Sequence, residues 1–194
     1  MRLFLFNPKT AFSSKDIARR AKLGDSAVRR ELLVLKKSGL ITGKVFTRTV
    51  EQTKENKKVL RKKREDGWIL KKGFPYLSQF QQLLIYTVLI KNEEIVRKLN
   101  FAGKIKLVVV AGVFIRDFDS RVDILVVGDR IKDKVLENII KDIEAEIGKE
   151  LSFAVFATDD FKYRLGMYDK LIRDILDYPH KTLLDKIGLN EKRI

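Results

Sequence analysis

Apolar residues at helical spacing predict short helices at the start of the chain. The segment RLFLF, residues 2–6, predicts a first, core-forming helix. Ser13 or Ser14 caps a second helix, and Asp16, three residues after Ser13, approximates a capping box. The apolar positions of this second helix are Ile17, Ala18 and Ala21, and Gly24 ends the turn that follows it.

The next predicted helix has one buried side and one polar side. It starts near Asp25, where an acid suits the positive end of a helix, and stops at Ser38-Gly39. Its buried face carries Val28, Leu32 and Leu35. Its other positions include Ser26, Arg29, Arg30, Lys36 and Lys37. Two helices joined by a glycine-containing turn predict a helix-turn-helix, in which the start of the second helix faces DNA bases.

Two strand-like segments flank a charged stretch. LITGKVFTRTV (residues 40–50) and GWILKKG (67–73) carry strand-type residues, and EQTKENKKVLRKKRED lies between them. Seven of the eleven residues from 54 to 64 are basic and one is acidic. This pattern predicts a two-stranded wing with a long basic tip that is mobile without a polyanion beside it.

The remainder of the chain predicts an α/β domain. A linker helix with Pro75 near its start carries Leu77, Phe80, Leu84 and Val88, and it packs either within the chain or across a dimer. IKLVVVAGVF, VDILVVGD and LSFAVFAT predict buried strands. The helix between the last two carries Val135, Ile139, Ile143 and Ile147. DDFKYRLGMYDKLIRDIL and HKTLLDKIG predict further helices, with room for a short closing strand. The fold class is α/β, or α+β over the whole chain, with a mixed sheet.

Charge divides the chain unevenly. Residues 1–75 hold 21 basic and 7 acidic residues, whereas residues 76–194 hold 20 and 19, so nearly all of the net charge of +15 lies in the first third. This asymmetry indicates a segment that meets a polyanion. The absence of cysteine excludes disulfides and thiolate metal sites. No stretch approaches 18 uncharged apolar residues, so we expect a cytoplasmic protein without a membrane partner.

The segment ARRAKLGDSAVRRELLVLKKSGLI, residues 18–41, resembles the helix-turn-helix of winged-helix transcription regulators. The resemblance covers about residues 1–75 and implies double-stranded DNA as partner, although winged helices also serve as protein–protein modules. Ser26, Arg29 and Arg30 would then reach bases or adjacent phosphates, since arginine bonds guanine bidentately. The residues expected to neutralise phosphates or enter the minor groove are Lys57, Lys58, Arg61, Lys62, Lys63 and Arg64.

A second resemblance covers about residues 100–160. AGVF, a polar loop, SRVDILVVGD, a long helix and another strand are similar to the minimal nucleotidyltransferase domain of the DNA polymerase beta-like superfamily. That family has a Gly-Ser at the phosphate loop and two aspartates, one residue apart, that hold Mg²⁺. Here Gly112 matches the glycine and Val113 replaces the serine. Asp123 has either Arg121 or Leu125 where its partner carboxylate belongs.

The resemblance therefore implies a retained fold without catalytic residues, metal or cofactor. The vestigial nucleotide site would consist of Gly112 and Asp123. Asp123 is either structural, paired with Arg121 or another cation, or a remnant contact to a nucleotide-like ligand. The sole histidine, His180, has no other histidine or cysteine with which to form a metal site.

These interpretations predict a winged-helix domain over 1–75, linker helices over 76–100 and a nucleotidyltransferase-like domain over 101–194. The expected function is transcription regulation by a homodimer on duplex DNA, with the second domain used for dimerisation or for a ligand or protein partner. One alternative is an active Mg²⁺-dependent nucleotidyltransferase that acts on nucleic acid or a protein. Another is a winged helix that binds protein while the basic tip binds RNA.

Overall fold

The computed structural model describes residues 1–54, 57–85 and 90–189, with the backbone alone for residues 50–54 and 57–59. Over this part of the chain the fold is mixed α/β, with eight α-helices and two β-sheets. The chain divides into two compact units, Met1–Ile85 and Tyr86–Ile194. Each unit has its own buried core.

The first unit contains four helices and one hairpin. Its elements are α1 (Arg2–Phe6), α2 (Ser14–Ala21), α3 (Asp25–Lys37), β1 (Ile41–Lys54), β2 (Lys57–Leu70) and α4 (Leu77–Leu84). The three predicted N-terminal helices are confirmed, and their apolar residues form a common core with the base of the hairpin. The core side chains include Phe4, Phe12, Ile17, Val28, Leu32, Leu35, Ile41 and Leu70.

Local signals explain where these helices begin and end. The Ser13 hydroxyl accepts a hydrogen bond from the Asp16 amide at 3.2 Å, so Ser13 is the N-cap of α2. Helix α2 ends at Ala21 and is followed by Lys22, which adopts the left-handed conformation with φ +51°. After α3, Gly39 has φ +75°, a conformation that glycine adopts without strain.

The hairpin is longer than the sequence pattern predicted. Residues 51–54 and 57–66 were expected in a long tip between the strands, but they continue strands β1 and β2, which pair antiparallel from Ile41 opposite Leu70 to Lys54 opposite Lys57. The predicted ends of the two strands were therefore wrong. The residues here are charged on both faces of the ribbon, so the apolar alternation that marks a half-buried strand is missing.

Helix α4 contributes to the core of the first unit. Leu77, Phe80 and Leu84 are partly buried and pack against that core. Val88, the fourth predicted apolar position, lies outside the described residues.

The second unit is an α/β domain whose sheet is mixed, as predicted. Its four-stranded sheet has the order β5-β4-β3-β6; β4 is antiparallel to β3 and parallel to β5, and β6 is antiparallel to β3. The elements are α5 (Asn92–Leu99), β3 (Lys104–Val110), β4 (Ile124–Asp129), α6 (Asp133–Ile147), β5 (Phe153–Phe156), α7 (Thr158–Gly166), α8 (Lys170–Leu176) and β6 (Lys181–Asp185).

Both central strands are buried on both faces. Alternate residues such as Leu107 and Leu125 pack against α7 and α8. The intervening residues, such as Val108 and Val126, are also fully buried. Because α5 and α6 are the remaining described helices of this unit and carry buried isoleucines and leucines, we infer that they cover the opposite face.

Three details of the second unit differ from the sequence prediction. The segment LSFAVFAT was expected to be a buried strand, but β5 is an edge strand and its residues are half-buried or exposed. In α6, Leu136 is buried instead of Val135. The segment HKTLLDKIG does not form the predicted helix; it provides β6, the short closing strand for which the sequence left room, beside β3.

Candidate nucleic-acid interface

Helix α3 presents its predicted contact residues to solvent. Ser26, Arg29 and Arg30 are exposed in the first two turns of the helix, whereas Val28 and Leu32 are buried on the opposite side. The apolar side of the helix packs in the core, and the hydroxyl and guanidinium groups are accessible to a ligand. Each of these three predicted residues therefore lies at an accessible position of the first unit.

The basic residues of the hairpin lie on both faces of the ribbon. Arg61, Lys62, Lys63 and Arg64 are exposed on β2. Because successive side chains of a strand point to opposite faces, Arg61 and Lys63 face one way and Lys62 and Arg64 the other. For Lys57 and Lys58 the structure describes the backbone alone, which pairs with Lys54 and Thr53 at the distal end of the hairpin.

The base of the hairpin is joined to the helices through Phe12 and Trp68. Their amides and carbonyls exchange two hydrogen bonds of 2.9 Å, so the segment before α2 adds a single bridge to the ribbon. The neighbouring Gly67 permits this approach, since a Cβ there would lie 2.6 Å from the Phe12 carbonyl oxygen. Helix α3 also contacts the base of the hairpin through a cation–π interaction, in which the Lys36 ammonium lies 5.7 Å from the centre of the Trp68 ring.

Asp16 connects α2 to the hairpin through an ion pair with Arg48 on β1. Its carboxylate accepts hydrogen bonds from the Arg48 guanidinium at 3.0 and 3.1 Å and from Arg19 at 3.2 Å. The Ser13 hydroxyl donates to it at 2.8 Å. Partial burial alone would raise the pKa of Asp16, but the Ser13 hydroxyl and Arg48 outweigh burial and hold the pKa below its usual value.

Arg48 was not among the residues predicted for this surface. The residue lies on β1 directly opposite Lys63, so the two side chains project from the same face of the ribbon. Only the strand register could have revealed this neighbour, and the register does not follow from a prediction that places Lys63 in a long tip. Arg48 therefore adds a cation to the face that carries Arg61 and Lys63, with Asp16 as its ion-pair partner.

In the second unit, the Asp123 carboxylate is engaged by backbone. Asp123 is 4% exposed, and its two oxygens accept hydrogen bonds from the amides of Val113 and Ser152, each at 2.9 Å. Gly112 has φ +54°, and a Cβ there would lie 2.1 Å from Asp123 Oδ1. Asp123 therefore connects the turn after β3 to the segment before β5, and Gly112 leaves room for its carboxylate.

Arg121 does not pair with Asp123, which corrects one of the alternatives given above. The Arg121 guanidinium is exposed and lies 2.7 Å from the Asp174 carboxylate, at the surface of α8. His180 Nδ1 lies 2.8 Å from the Tyr178 carbonyl oxygen. Across residues 1–54, 57–85 and 90–189 there is no group of three or more His, Cys, Asp or Glu side chains that could hold a metal ion.

Asp129, at the end of β4, has the clearest electrostatic perturbation of the second unit. The Lys106 ammonium lies 2.7 Å from its carboxylate, and the Thr158 amide donates to it at 3.4 Å. The hydrogen bond from Lys106, followed by those from Thr158, lowers the pKa of Asp129 to about 2. Asp129 thus fixes the start of α7 next to the sheet as a charged carboxylate at neutral pH.

Comparison of the chain with protein-family models, with curated proteins and with solved structures gave no match. Within the part of the chain that the structure describes, no helix has both the length and the apolar character needed to cross a bilayer.

Proposed function

We propose that the chain is a DNA-binding transcription regulator whose first unit binds duplex DNA as a winged helix. The observation that carries the proposal is the outer side of α3, where Ser26, Arg29 and Arg30 are exposed on a helix whose opposite side is anchored in the core. A helix held in this way is suited to enter a major groove with its first turns foremost.

The charge of the first unit supports the same proposal. Residues 1–85 hold all 21 of the basic residues counted in the first third and only 7 acidic ones, so this unit carries a formal charge of +14. A ribbon that lies in a DNA groove has phosphates on each side of it. Cations on both faces of the hairpin suit that position. We therefore propose that the hairpin provides most of the affinity for DNA and that α3 provides most of the sequence specificity.

For the second unit we propose a role in dimerisation or in binding a ligand or protein partner, without nucleotidyl transfer. Support comes from Asp123, whose two oxygens accept backbone hydrogen bonds. It comes also from the position of the second carboxylate that the resemblance would require, which holds either Arg121, with a fixed positive charge, or Leu125. Transfer of labelled nucleotide in Mg²⁺ or Mn²⁺ that Asp123→Ala abolishes would overturn this part of the proposal.

Fluorescence anisotropy on a random-sequence duplex across a salt series tests the proposal. The parent should show a log–log slope of about −0.9 for each phosphate contacted. Replacing the six basic residues of the hairpin, at positions 57, 58 and 61–64, with glutamine should flatten the slope. Arg29→Glu with Arg30→Glu should weaken binding at every salt concentration, because reversed charges repel phosphates beside the groove.

The matched control is Lys134→Glu with Lys141→Glu. These lysines are exposed on α6 in the second unit, so the variant has the same change in net charge outside the proposed interface. Its binding should remain close to that of the parent apart from a weak long-range effect. Absence of duplex binding by the parent at low salt, or equal losses in the control and the α3 variant, would overturn the proposal.

A further inference from the structure

An exposed leucine interrupts the polar outer side of α3. Ser26, Arg30, Leu33 and Lys37 follow one another at intervals of four, three and four residues, so they form a single stripe along the helix. This stripe lies opposite the buried face. Leu33 is 66% exposed and lies between Arg30 and Lys37 on this stripe, and the next residue, Val34, is 57% exposed.

The exposure of Leu33 has no explanation in the packing of the first unit. At 100° per residue, Leu33 points about 140° away from Val28, which lies in the middle of the buried face. Its side chain therefore leaves the core and projects from the outer side of the helix, about one turn after Arg30. Scattered apolar residues are common on surfaces, but this one lies within the stripe that carries Arg30 and Lys37.

We infer that Leu33 is a specificity residue that contacts the C5-methyl group of a thymine in the major groove. This inference rests on the proposed function and assigns to the same helix an apolar contact beside its polar ones. The thymine methyl is the one apolar group that a base pair presents in the major groove, and aliphatic side chains recognise it by contact. The positive charge around Leu33 favours nucleic acid over an apolar protein surface as the occupant.

The helix geometry also fixes where this thymine should lie. Arg30 and Leu33 are three residues apart, which is about 4.5 Å along the helix axis at 1.5 Å per residue. Base pairs stack about 3.4 Å apart. If Arg30 bonds a guanine, the thymine under Leu33 should therefore lie within one or two base pairs of it.

The experiment begins with selection of tight-binding duplexes from a random-sequence pool by the full chain. Each thymine of the enriched duplex is then replaced singly by uracil, which removes only the methyl group. Binding of the parent, of Leu33→Ala and of Leu83→Ala is measured on each duplex. Leu83, on α4, is 62% exposed and serves as the matched control because it lies outside the α3 stripe.

At one thymine next to a selected guanine, removal of the methyl group should lower the affinity of the parent for the duplex about fourfold. This is the effect expected for one buried methyl-sized group. Leu33→Ala should bind the thymine and uracil duplexes equally, and Leu83→Ala should behave as the parent. Duplex binding in which no thymine responds to demethylation, or in which Leu33→Ala responds as the parent does, would overturn this inference alone. No selection of any duplex would overturn the proposed function as well.

Discussion

Asp123, directly before strand β4, illustrates a structural role for a buried carboxylate. Its carboxylate holds two backbone amides that are 10 and 29 residues away in the chain. Sequence analysis placed Asp123 within a strand segment and included a structural role among its alternatives. It could not identify the partners, because backbone amides have no sequence signature and Ser152 approaches only when β5 pairs beside β4.

This contact predicts a coupled effect on stability. Asp123→Ala leaves two amides without their acceptor and should lower the free energy of unfolding by about 2 to 4 kcal/mol. Gly112→Ala should also destabilise, since its Cβ collides with the carboxylate and its φ is positive. Asp123→Ala removes the carboxylate with which the new Cβ collides. In the double variant, Gly112→Ala should therefore lower the free energy of unfolding by less than it does alone.

Urea denaturation of the two single variants and the double variant measures this coupling. Asp119→Ala, at an exposed position of the nearby loop, is the control and should change stability little. Additive losses from Gly112→Ala and Asp123→Ala would contradict the proposed contact between the two positions.

At the scale of elements, α3 and the hairpin differ in how well the sequence predicted them. Helix α3 has both a clear apolar face and clear end signals, and its predicted bounds agree with Asp25–Lys37. The hairpin has an apolar base at Ile41 and Leu70 but a charged distal part. The pairing that extends its strands depends on backbone hydrogen bonds, which any residue except proline forms, so the side-chain pattern gave no sign of the full length.

The two faces of the hairpin allow a test of how it lies on DNA. Arg61→Gln with Lys63→Gln removes two cations from one face, and Lys62→Gln with Arg64→Gln removes two from the other. If phosphates lie on each side of the ribbon, both double variants should flatten the log–log salt slope by about 1.8.

Anisotropy across a salt series measures both slopes, with Lys134→Gln and Lys141→Gln together as the control outside the first unit. A change in slope for only one of the two double variants would mean that the ribbon lies with a single face on the duplex.

At the scale of the whole molecule, charge distinguishes a strongly basic first unit from a nearly neutral second unit. The second unit, with 20 basic and 19 acidic residues over positions 86–194, is nearly neutral beside the first. This division was readable from the sequence because counting charges needs no structure. The division at residues 85 and 86 was harder to read, since Leu77, Phe80 and Leu84 contribute to the first core although they follow the predicted boundary.

The proposed dimer predicts the number of chains on a duplex. Two copies of the selected site, placed 10 to 10.5 base pairs apart in inverted orientation, should bind two chains cooperatively, because a two-fold dimer presents two α3 helices to the same side of DNA. Moving the sites by half a helical turn should abolish the cooperativity.

Sedimentation of a labelled duplex gives the stoichiometry, and a duplex with a single site is the control. Independent binding of two chains at every spacing would contradict a pre-formed two-fold dimer.

The length of the hairpin has a consequence for the DNA itself. Fourteen residues in each strand span about 46 Å at about 3.3 Å per residue, which exceeds one turn of the double helix. On the proposed duplex, a single first unit would therefore cover unequal lengths to the left and right of α3. Such a footprint is asymmetric, so even one bound copy would define a direction along an otherwise symmetric stretch of DNA.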